Sequence, residues 1–303
     1  MTLTVLVTGA SGQVGTELTR IAWPEGIHVI ALGRDALDVT SAASIDAAMA
    51  HHQPGLVINT AAFTAVDRAE QEPEAADASN HQAPALLANA CARADIPLIH
   101  YSTDYVFNGS GERPWREDDT PNPTGVYGLT KLRGERAIQD RLPRHIILRV
   151  SWVFAGHGHN FVRSILRLGA ERDTLGIVAD QHGGPTPARD IAKRTAALVE
   201  VYAAERDLPW GVYHLCGAPA TTWHGFAVEI FDMARPLMPL AVEQVNAIGT
   251  EDFPTPARRP ANSVLDCSRF KTTFGLEQPD WRPALSAAIR ELLAEQDQPR
   301  AGS

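Results

Sequence analysis

The pattern of apolar positions divides the first half of the chain into short strands and longer helices. Near-continuous apolar runs of four or five residues predict strands over Val5–Thr8, His28–Leu32, Leu56–Thr60, Leu98–Tyr101 and Ile146–Val150. Runs without polar alternation are typical of a parallel sheet that is buried on both faces. The stretches between them have helical periodicity and predict helices over Gln13–Ile21, Ser44–His51, Glu74–Ala94 and Tyr127–Asp140. This β–α–β rhythm predicts an α/β fold with a doubly wound (Rossmann) parallel sheet.

The second half of the chain is less regular. Amphipathic patterns predict helices over Asn160–Glu171, Ala188–Ala204, Trp223–Ala234 and Pro283–Glu295, and a strand over Val212–Leu215. Proline-marked loops over Gly183–Pro187 and Phe253–Pro260 favour a smaller, discontinuous α/β lobe. We therefore expect a Rossmann domain over residues 1–155, to whose sheet later elements add. The smaller lobe would lie mainly over 156–295, before a flexible tail over 296–303.

Composition and charge exclude several classes of protein. The 303 residues are 44% apolar and 21% charged, as in ordinary globular domains. A net charge of −9 argues against general nucleic-acid binding, which requires a basic surface. We expect no membrane span, because no apolar run approaches the roughly 18 to 20 residues needed. Cys91, Cys216 and Cys267 show no CxxC or metal spacing, and nothing requires an oxidising compartment, so we expect the cytoplasm.

A glycine-rich turn follows the first predicted strand. The sequence Gly9-Ala-Ser-Gly12-Gln-Val-Gly15 has the spacing GxxGxxG, a variant found in short-chain dehydrogenases. Between a first strand and a first helix, such glycines let a pyrophosphate approach the backbone at the helix N-terminus. The turn therefore predicts a dinucleotide site that includes Gly9, Gly12 and Gly15; a merely structural strand–helix turn is the alternative.

The ends of the next two strands indicate which dinucleotide binds. Arg34 stands where a site specific for NAD would usually carry an acidic residue. An arginine there can pair with the adenosine 2′-phosphate, which favours NADP(H); a solvated arginine beside Asp35 is the alternative. Asp38 and Val39 could line the adenine pocket. The residues after the third strand, Ala62, Phe63 and Thr64, lie where the cofactor backbone would pass.

Tyr127 and Lys131 have the spacing of residues on one face of a helix. A tyrosine with a pKa near 10 becomes a useful acid or base when a neighbouring cation stabilises its phenolate. Lys131 could do this and also hold the nicotinamide ribose. An ordinary surface pair at i and i+4 is the alternative.

A hydroxyl-bearing segment ends the fourth predicted strand, at the edge of the sheet where ligands of α/β proteins bind. Ser102 and Thr103 could each hydrogen-bond a substrate carbonyl and orient it toward Tyr127. Together these residues predict hydride transfer from a reduced nicotinamide to a carbonyl, with Tyr127 protonating the developing alkoxide and no metal required. The smaller lobe would then be the substrate lobe.

At these motifs the chain resembles the dTDP-4-dehydrorhamnose reductases, a family of extended short-chain dehydrogenases. The resemblance covers nearly the whole chain and is carried by residues 12–15, 59–70, 102–107, 127–131, 149–154, 180–186 and 254–263. The family reduces the 4-keto group of dTDP-4-dehydro-β-L-rhamnose with NADPH or NADH, the final step toward dTDP-L-rhamnose. The resemblance thus implies a dTDP-sugar substrate and a nicotinamide cofactor.

The resemblance also implies roles for individual residues. Thr103 would be the active-site hydroxyl, Tyr127 the proton donor and Lys131 its partner. Thr103, Asp104 and Trp152 would contact the sugar nucleotide, although its sequence context alone suggests that Trp152 is a core aromatic. Cofactor contacts would come from Gly12, Gln13, Val14, Asp38, Val39, Ala62, Phe63, Thr64 and Tyr101. Arg258 and Arg259 suit the substrate pyrophosphate; salt bridges within a proline-stiffened loop are the alternative.

Two positions depart from the family. Phe63 stands where relatives often carry a polar residue, so a hydrogen bond to the cofactor would be missing. Some relatives bind Mg²⁺ through carboxylates at a dimer interface. Glu17 could serve here, but Arg189 occupies a position that is acidic in those members, which argues against a metal-bridged dimer. We expect a monomer or homodimer without a metal.

The remaining histidines show no pattern of a metal site. We expect His51, His52, His157 and His159 to be surface or loop residues, because they have no carboxylate or cysteine at metal spacing.

Two other functions are compatible with this fold. One alternative function is a reductase or epimerase of a GDP- or UDP-linked sugar. The other is a non-catalytic regulatory subunit of the same fold, against which the presence of Thr103, Tyr127 and Lys131 argues.

Overall fold

The structure, a computed structural model, describes residues 2–297. Its strands are β1 (Leu3–Thr8), β2 (Ile27–Leu32), β3 (Leu56–Asn59), β4 (Leu98–Thr103), β5 (His145–Val150), β6 (Val153–Phe154), β7 (Thr174–Val178), β8 (His182–Gly183), β9 (Thr186–Pro187), β10 (Gly211–His214), β11 (Thr221–Thr222) and β12 (Gln244–Ile248). Its α-helices are α1 (Gln13–Arg20), α2 (Ala42–His52), α3 (Val66–Gln71), α4 (Pro73–Asp77), α5 (Ala83–Ala94), α6 (Val126–Arg141), α7 (Phe161–Glu171), α8 (Ala188–Glu205), α9 (Trp223–Ala234), α10 (Ser268–Phe274) and α11 (Trp281–Asp297).

A sheet of six parallel strands forms the centre of the molecule. The strand order is β10-β5-β4-β3-β1-β2. The chain winds outward from β1 in both directions, so the point where the winding reverses lies between β1 and β3. Ligands of doubly wound sheets bind at that point, outside the carboxyl ends of the strands. The predicted Rossmann-type α/β fold is confirmed.

Helices cover both faces of this sheet. On one face, α1, α8 and α10 pack against the alternate apolar residues of β1, β3, β4 and β5. On the other, α2, α5 and α6 pack against the intervening positions. Burial on both sides explains why these strands read as continuous apolar runs. Both β10 and α8 come from the second half of the chain, so later elements do complete the first sheet.

The rest of the second half forms a separate core. Helices α7, α9 and α11 pack together with Leu175 of β7 around buried aromatic side chains such as Phe226 and Trp281. A parallel pair, β7 and β12, covers one side. Asn160 caps α7 by accepting a hydrogen bond from the Arg163 amide (3.2 Å), and it also donates from Nδ2 to the Gln13 side chain (3.0 Å). The start of α7 is therefore tied to the glycine-rich turn.

Several predicted elements were wrong or missing. The helix expected over Glu74–Ala94 is interrupted by a π-helical turn at Ala78–Gln82, between α4 and α5. No sequence pattern predicted α3, α10, β7 or β12. The two strands were missed because β12 exposes most of its residues and β7 contains a glycine, which weakens a strand pattern.

The end of the chain differs from expectation, and two of the cysteines lie together in the fold. Helix α11 begins at Trp281 and continues to Asp297, two residues into the predicted tail, and residues 298–303 lie outside the described residues. Cys216 and Cys267, far apart in sequence, are buried free thiols whose sulfur atoms lie 3.6 Å apart. Between residues 2 and 297, no helix is long and apolar enough to cross a membrane.

Candidate active site

The glycine-rich turn has a conformation that only glycine fits. Gly9 has φ +69°, and a Cβ there would lie 2.6 Å from the Ala61 amide nitrogen. A Cβ on Gly15 would lie 2.3 Å from the Gly9 carbonyl oxygen. Such contacts are far inside van der Waals distance, so either side chain would displace the turn from the end of β3. The glycines bring β1, α1 and β3 together at the winding reversal.

The first turn of α1 presents unpaired amide groups at this point. Gly12 is the N-cap and offers no side chain to cover the helix end. The first helical hydrogen bond is from the Thr16 amide to the Gly12 carbonyl (2.8 Å), so the amides of Gln13, Val14 and Gly15 have no partner within the helix. These amides and the helix dipole make a binding site for a phosphate.

A cavity of about 210 Å³, here called the turn cavity, opens beside these amides. It is lined by Gly9, Ser11, Gly12, Arg34, Leu37, Asp38, Val39, Thr40, Thr60, Ala61, Ala62 and Ser79. Thr40 hydrogen bonds, assisted by Arg34, hold the pKa of the Asp38 carboxyl below its usual value. The turn cavity therefore has an ionised carboxylate and an exposed guanidinium at one end, and phosphate-binding amides at the other.

Phe63 and Thr64 are held at the edge of this region by the π-helical turn. The Asn80 side chain accepts the Phe63 amide (2.8 Å) and donates to the Phe63 carbonyl (3.0 Å), which fixes the loop after β3. Arg68 lies over the Phe63 ring, 5.2 Å from its centroid. Thr64 is exposed. Single π turns often occur at functional sites, and this one supplies a buried residue that the sequence analysis missed.

Thr103, Tyr127 and Lys131 meet at the carboxyl end of β4. Burial raises the pKa of the Tyr127 phenol, and the nearby Thr103 hydroxyl partly offsets this effect. The Lys131 Nζ donates to the Tyr101 carbonyl (2.6 Å) and lies 3.4 Å from His100 Nε2. Burial lowers its pKa to about 8, partly offset by Glu135.

Ser102 and Tyr101, which flank this point, have other surroundings. The Ser102 hydroxyl is buried and has no hydrogen-bond partner among residues 2–297. The Tyr101 hydroxyl bonds Thr195 of α8 (2.7 Å), on the opposite face of the sheet from α6. Only the backbone of Tyr101 is therefore close to Lys131 and the catalytic edge.

Asp104 is a buried acid directly beside Thr103. Its Oδ1 accepts the Thr103 hydroxyl (2.9 Å), whereas Oδ2 is buried and meets no donor in hydrogen-bonding geometry within the described part of the chain. Burial raises the pKa of the carboxyl to about 6. A buried carboxylate oxygen without a partner is costly unless a ligand supplies a donor, so Asp104 is suited to bind a ligand hydroxyl.

A second cavity of about 470 Å³, here called the lobe cavity, lies between the smaller lobe and the sheet edge. Its lining is Asp67, Tyr105, Phe161, Ser164, Ile165, Leu168, Arg172, Thr174, Leu175, Gly176, Ile177, Val178, Gln181, Trp223, Phe253, Thr255 and Arg259. Most of this lining is apolar, with charged groups from three separate segments. Such a cavity suits a flat ring with a charged attachment.

The two predicted arginines have different positions. Arg259 donates to the Tyr105 hydroxyl (3.1 Å) and to Asp67 (2.5 Å), and it lines the lobe cavity. Arg258 is exposed and lines a neighbouring groove that also includes Arg259. The Tyr105 ring in turn packs edge-on against Tyr127, with 5.5 Å between centroids. Arg259 is thereby connected to the phenol through Tyr105.

Trp152 has an unusual backbone and stacks on a second tryptophan. Its φ is +47°, in the left-handed region where a bulky residue is strained. Its indole stacks on Trp223 with centroids 3.5 Å apart, and a Cβ on Gly183 would lie 2.3 Å from that indole. Strain of this kind is maintained by surrounding contacts and is frequent at functional sites. Trp223 lines the lobe cavity.

One of the remaining histidines has a buried carboxylate partner. His157 lies in a loop, as expected, and is buried there with its Nε2 2.8 Å from Glu17. Glu17 is itself buried and also pairs with Arg20 (3.3 Å). Its carboxylate therefore serves an internal ion pair that ties α1 to the loop before α7. Within residues 2–297, no group of three or more His, Cys, Asp or Glu side chains could hold a metal ion.

Comparisons with known proteins agree over nearly the full length of the chain. The family model of the RmlD substrate binding domain matches residues 3–294. The dTDP-4-dehydrorhamnose reductase of Salmonella typhimurium is 41% identical, covering 96% of this chain and 98% of the relative. The dTDP-4-dehydrorhamnose reductase of Streptomyces griseus is 44% identical, covering 98% of this chain and 96% of the relative.

A solved structure shows the same architecture. The dTDP-4-dehydrorhamnose reductase of Bacillus anthracis, in complex with NADP, is 30% identical and superposes with a TM-score of 0.88 over 96% of this chain and 100% of that chain. The comparisons of sequence and of fold agree. The chain therefore belongs to the dTDP-4-dehydrorhamnose reductase family.

Proposed function

We propose that this protein reduces the 4-keto group of dTDP-4-dehydro-β-L-rhamnose to a hydroxyl with NADPH, giving dTDP-β-L-rhamnose. The observation that carries the proposal is the identity of 41% or more to full-length reductases of that name, over 96% or more of the chain. The presence of two separate cavities supports it, because the reaction needs both a cofactor and a sugar nucleotide.

The turn cavity fits a nicotinamide dinucleotide phosphate. The pyrophosphate would bind the free amides of α1 beside Gly12, and the nicotinamide would lie toward Tyr127 and Lys131. Arg34 suits the 2′-phosphate, which favours NADPH over NADH. A relative solved with NADP supports the same preference. The other proposed contacts are Gly9, Gln13, Val14, Gly15, Asp38, Val39, Ala62, Phe63, Thr64 and the backbone of Tyr101.

The chemistry follows from the protonation states of the site. Bound NADPH supplies a hydride to the carbonyl carbon. Burial keeps the Tyr127 phenol protonated, which is the form that a proton donor needs. The Thr103 hydroxyl would turn from Asp104 to the keto oxygen, and Tyr127 would protonate that oxygen as negative charge develops. Lys131, in its ammonium form, would stabilise the phenolate that remains.

The lobe cavity suits the remainder of the substrate. The aromatic and aliphatic lining would hold the thymine and deoxyribose, and Arg259 and Arg258 would pair with the pyrophosphate. Asp104 would accept a sugar hydroxyl at its unpartnered oxygen, and Trp152 would contact the sugar. We further propose that residues 1–155 bind mainly the cofactor and 156–295 mainly the substrate, and that the enzyme works in the cytoplasm, where buried free thiols persist.

Turnover of defined sugar nucleotides tests the proposal. NADPH oxidation is followed with dTDP-4-dehydro-L-rhamnose made in situ from dTDP-glucose, and with GDP- and UDP-linked keto sugars in parallel. We expect turnover of the dTDP sugar alone. Tyr127→Phe should lower kcat about 100- to 10,000-fold, because it removes the proton donor.

Tyr105→Phe is the matched control. It removes a neighbouring phenol that bonds Arg259, so kcat should fall less than about tenfold. Turnover of only a GDP- or UDP-linked sugar would contradict the proposed substrate and retain the mechanism. Cofactor binding without turnover of any sugar would favour a regulatory subunit instead.

A further inference from the structure

A row of buried polar side chains crosses the sheet beneath the proposed nicotinamide site. Thr8, Asn59 and His100 are neighbours in register on β1, β3 and β4, and each is no more than 1% exposed. They lie on the sheet face covered by α5 and α6. On that face, the residue two positions earlier in each strand is apolar. The reaction proposed above makes no use of His100.

The orientation of the Asn59 amide is fixed by the backbone. Asn59 Oδ1 accepts hydrogen bonds from the Thr8 hydroxyl (2.6 Å) and from the Ala61 amide (3.1 Å). A hydroxyl can reverse its role, but a backbone N–H can only donate. The oxygen of Asn59 must therefore face Ala61, which turns its NH₂ group toward His100.

This orientation determines which nitrogen of His100 carries the proton. Asn59 Nδ2 lies 3.0 Å from His100 Nδ1, so Nδ1 must accept. Burial and the nearby Lys131 lower the His100 pKa well below its usual value, which makes the imidazole neutral. A neutral imidazole that accepts at Nδ1 carries its proton at Nε2. His100 Nε2 is therefore a donor, and it points at Lys131 Nζ, 3.4 Å away.

Two donors cannot satisfy each other across this contact. An ammonium has only protons to offer, whereas the uncharged amine has a lone pair that can accept from Nε2–H and can still donate to the Tyr101 carbonyl (2.6 Å). On its own helix, Lys131 faces Tyr127 and Glu135. The Glu135 carboxylate is bonded to Arg149 of β5 (2.7 and 2.9 Å), so its charge is largely neutralised.

We propose that His100 is a positioning residue for Lys131: held by Asn59, it donates from Nε2 to the lysine nitrogen and thereby shifts Lys131 from the ammonium toward the amine in the resting protein. Lys131 then changes charge near neutral pH and is not a fixed cation, in keeping with its lowered pKa. The role in turnover rests on the proposed function, but the hydrogen-bond arrangement does not.

The tautomer of His100 is the first test. The ring nitrogens of ¹⁵N-histidine-labelled protein report which nitrogen is protonated, and His100→Phe identifies the His100 signals among the 11 histidines. We expect the neutral Nε2–H form at neutral pH. An Nδ1–H tautomer or an imidazolium would overturn the proposal, whatever the enzyme does with sugar nucleotides.

Lysine titration is the second test. The chain has only three lysines, so ¹³C labelling at lysine Cε gives three signals, of which Lys131 should titrate lowest. Asn59→Asp retains the acceptor for Ala61 but places a second acceptor against His100 Nδ1. The tautomer should reverse, Nε2 should accept from the ammonium, and the titration midpoint of Lys131 should rise by about one unit.

Thr8→Val is the matched control, because it removes one bond of Asn59 and leaves the Ala61 contact in place. We expect its His100 tautomer and its Lys131 midpoint to remain those of wild type. If Asn59→Asp folds and leaves the Lys131 midpoint unchanged, or if Thr8→Val moves that midpoint as far as Asn59→Asp does, His100 does not set the charge of Lys131. If the His100 and Lys131 signals are as expected but the wild-type protein does not oxidise NADPH with the dTDP sugar, the proposed function is contradicted and the hydrogen-bond arrangement is not.

Discussion

The turn cavity and the lobe cavity are built in different ways. The turn cavity depends on backbone: free amides at the start of α1, and glycines that let β1, α1 and β3 approach each other. The lobe cavity depends on side chains drawn from segments as far apart as Asp67 and Arg259. A backbone site tolerates change at most side chains but not at its glycines. A side-chain site depends on charged groups that must be held in place by their partners, as Arg259 is by Asp67.

The two kinds of site also differ in their cost to the stability of the folded protein. Backbone amides at a helix N-terminus are polar in any folded state, so their use for a phosphate adds little cost. Asp104, in contrast, is a carboxyl that burial makes harder to ionise. If Asp104 binds the substrate as proposed, it lowers stability in exchange for binding, a common trade-off at active sites.

The largest effect should come from filling the glycine-rich turn. Gly15→Val would push side-chain atoms into the Gly9 carbonyl, so we expect NADPH to bind about 100-fold more weakly while dTDP binding to the lobe cavity is retained. Fluorescence titration measures the affinity for NADPH, and calorimetry measures the affinity for dTDP. In Gly33→Ala the added Cβ meets no atom within 4 Å, so this control should bind NADPH as wild type does. Equal affinity in Gly15→Val would contradict a backbone-built site.

Neutralising the buried acid should stabilise the protein. The pKa of Asp104 is raised from 3.8 to about 6, so the stability associated with this group is greatest below the unfolded pKa and is lost as pH rises through 6. Asp104→Asn should therefore increase the free energy of unfolding by about 2 kcal/mol at about pH 8, with little change at about pH 4, while lowering activity. Urea unfolding of both proteins at the two pH values tests this prediction. If the free energy of unfolding increased equally at both pH values, the charge of the carboxyl could not be the cause of the increase.

The smallest effect should come from changing the shape of one cation. Arg259→Lys keeps the charge but loses the planar fork that bonds Asp67 and Tyr105 together, so KM for the sugar nucleotide should rise about tenfold. The NADPH dissociation constant should not change. Steady-state kinetics and NADPH titration of one preparation give both values, and a parallel loss on the cofactor side would mean that the two cavities are coupled.

Local patterns were sufficient for the sheet and for the turn cavity. The strands from β1 to β5 are buried on both faces, and the turn between β1 and α1 follows directly from three glycines. Tyr127 and Lys131 were found by their helical spacing. In each case the signal lies within a few residues of sequence, which is why it could be identified without the fold.

Long-range pairs were not accessible in the same way. The contact of Glu17 with His157 joins residues 140 positions apart, and nothing in either segment indicates the other. The choice between Ser102 and Thr103 required knowing which hydroxyl faces Tyr127. Asn80 was hidden because a π turn has no distinctive pattern and its segment reads as an ordinary helix.

The position of β10 has a consequence for how the molecule is made. On the ribosome, β5 emerges with its outer edge unpaired, and the strand that covers it, Gly211–His214, follows more than 60 residues later. At roughly 5 to 20 residues per second, that edge and the sheet face later covered by α8 stay open for several seconds. During this interval the nascent chain has the open strand edge on which aggregation begins, so the period of greatest risk in its synthesis ends only when the second half arrives.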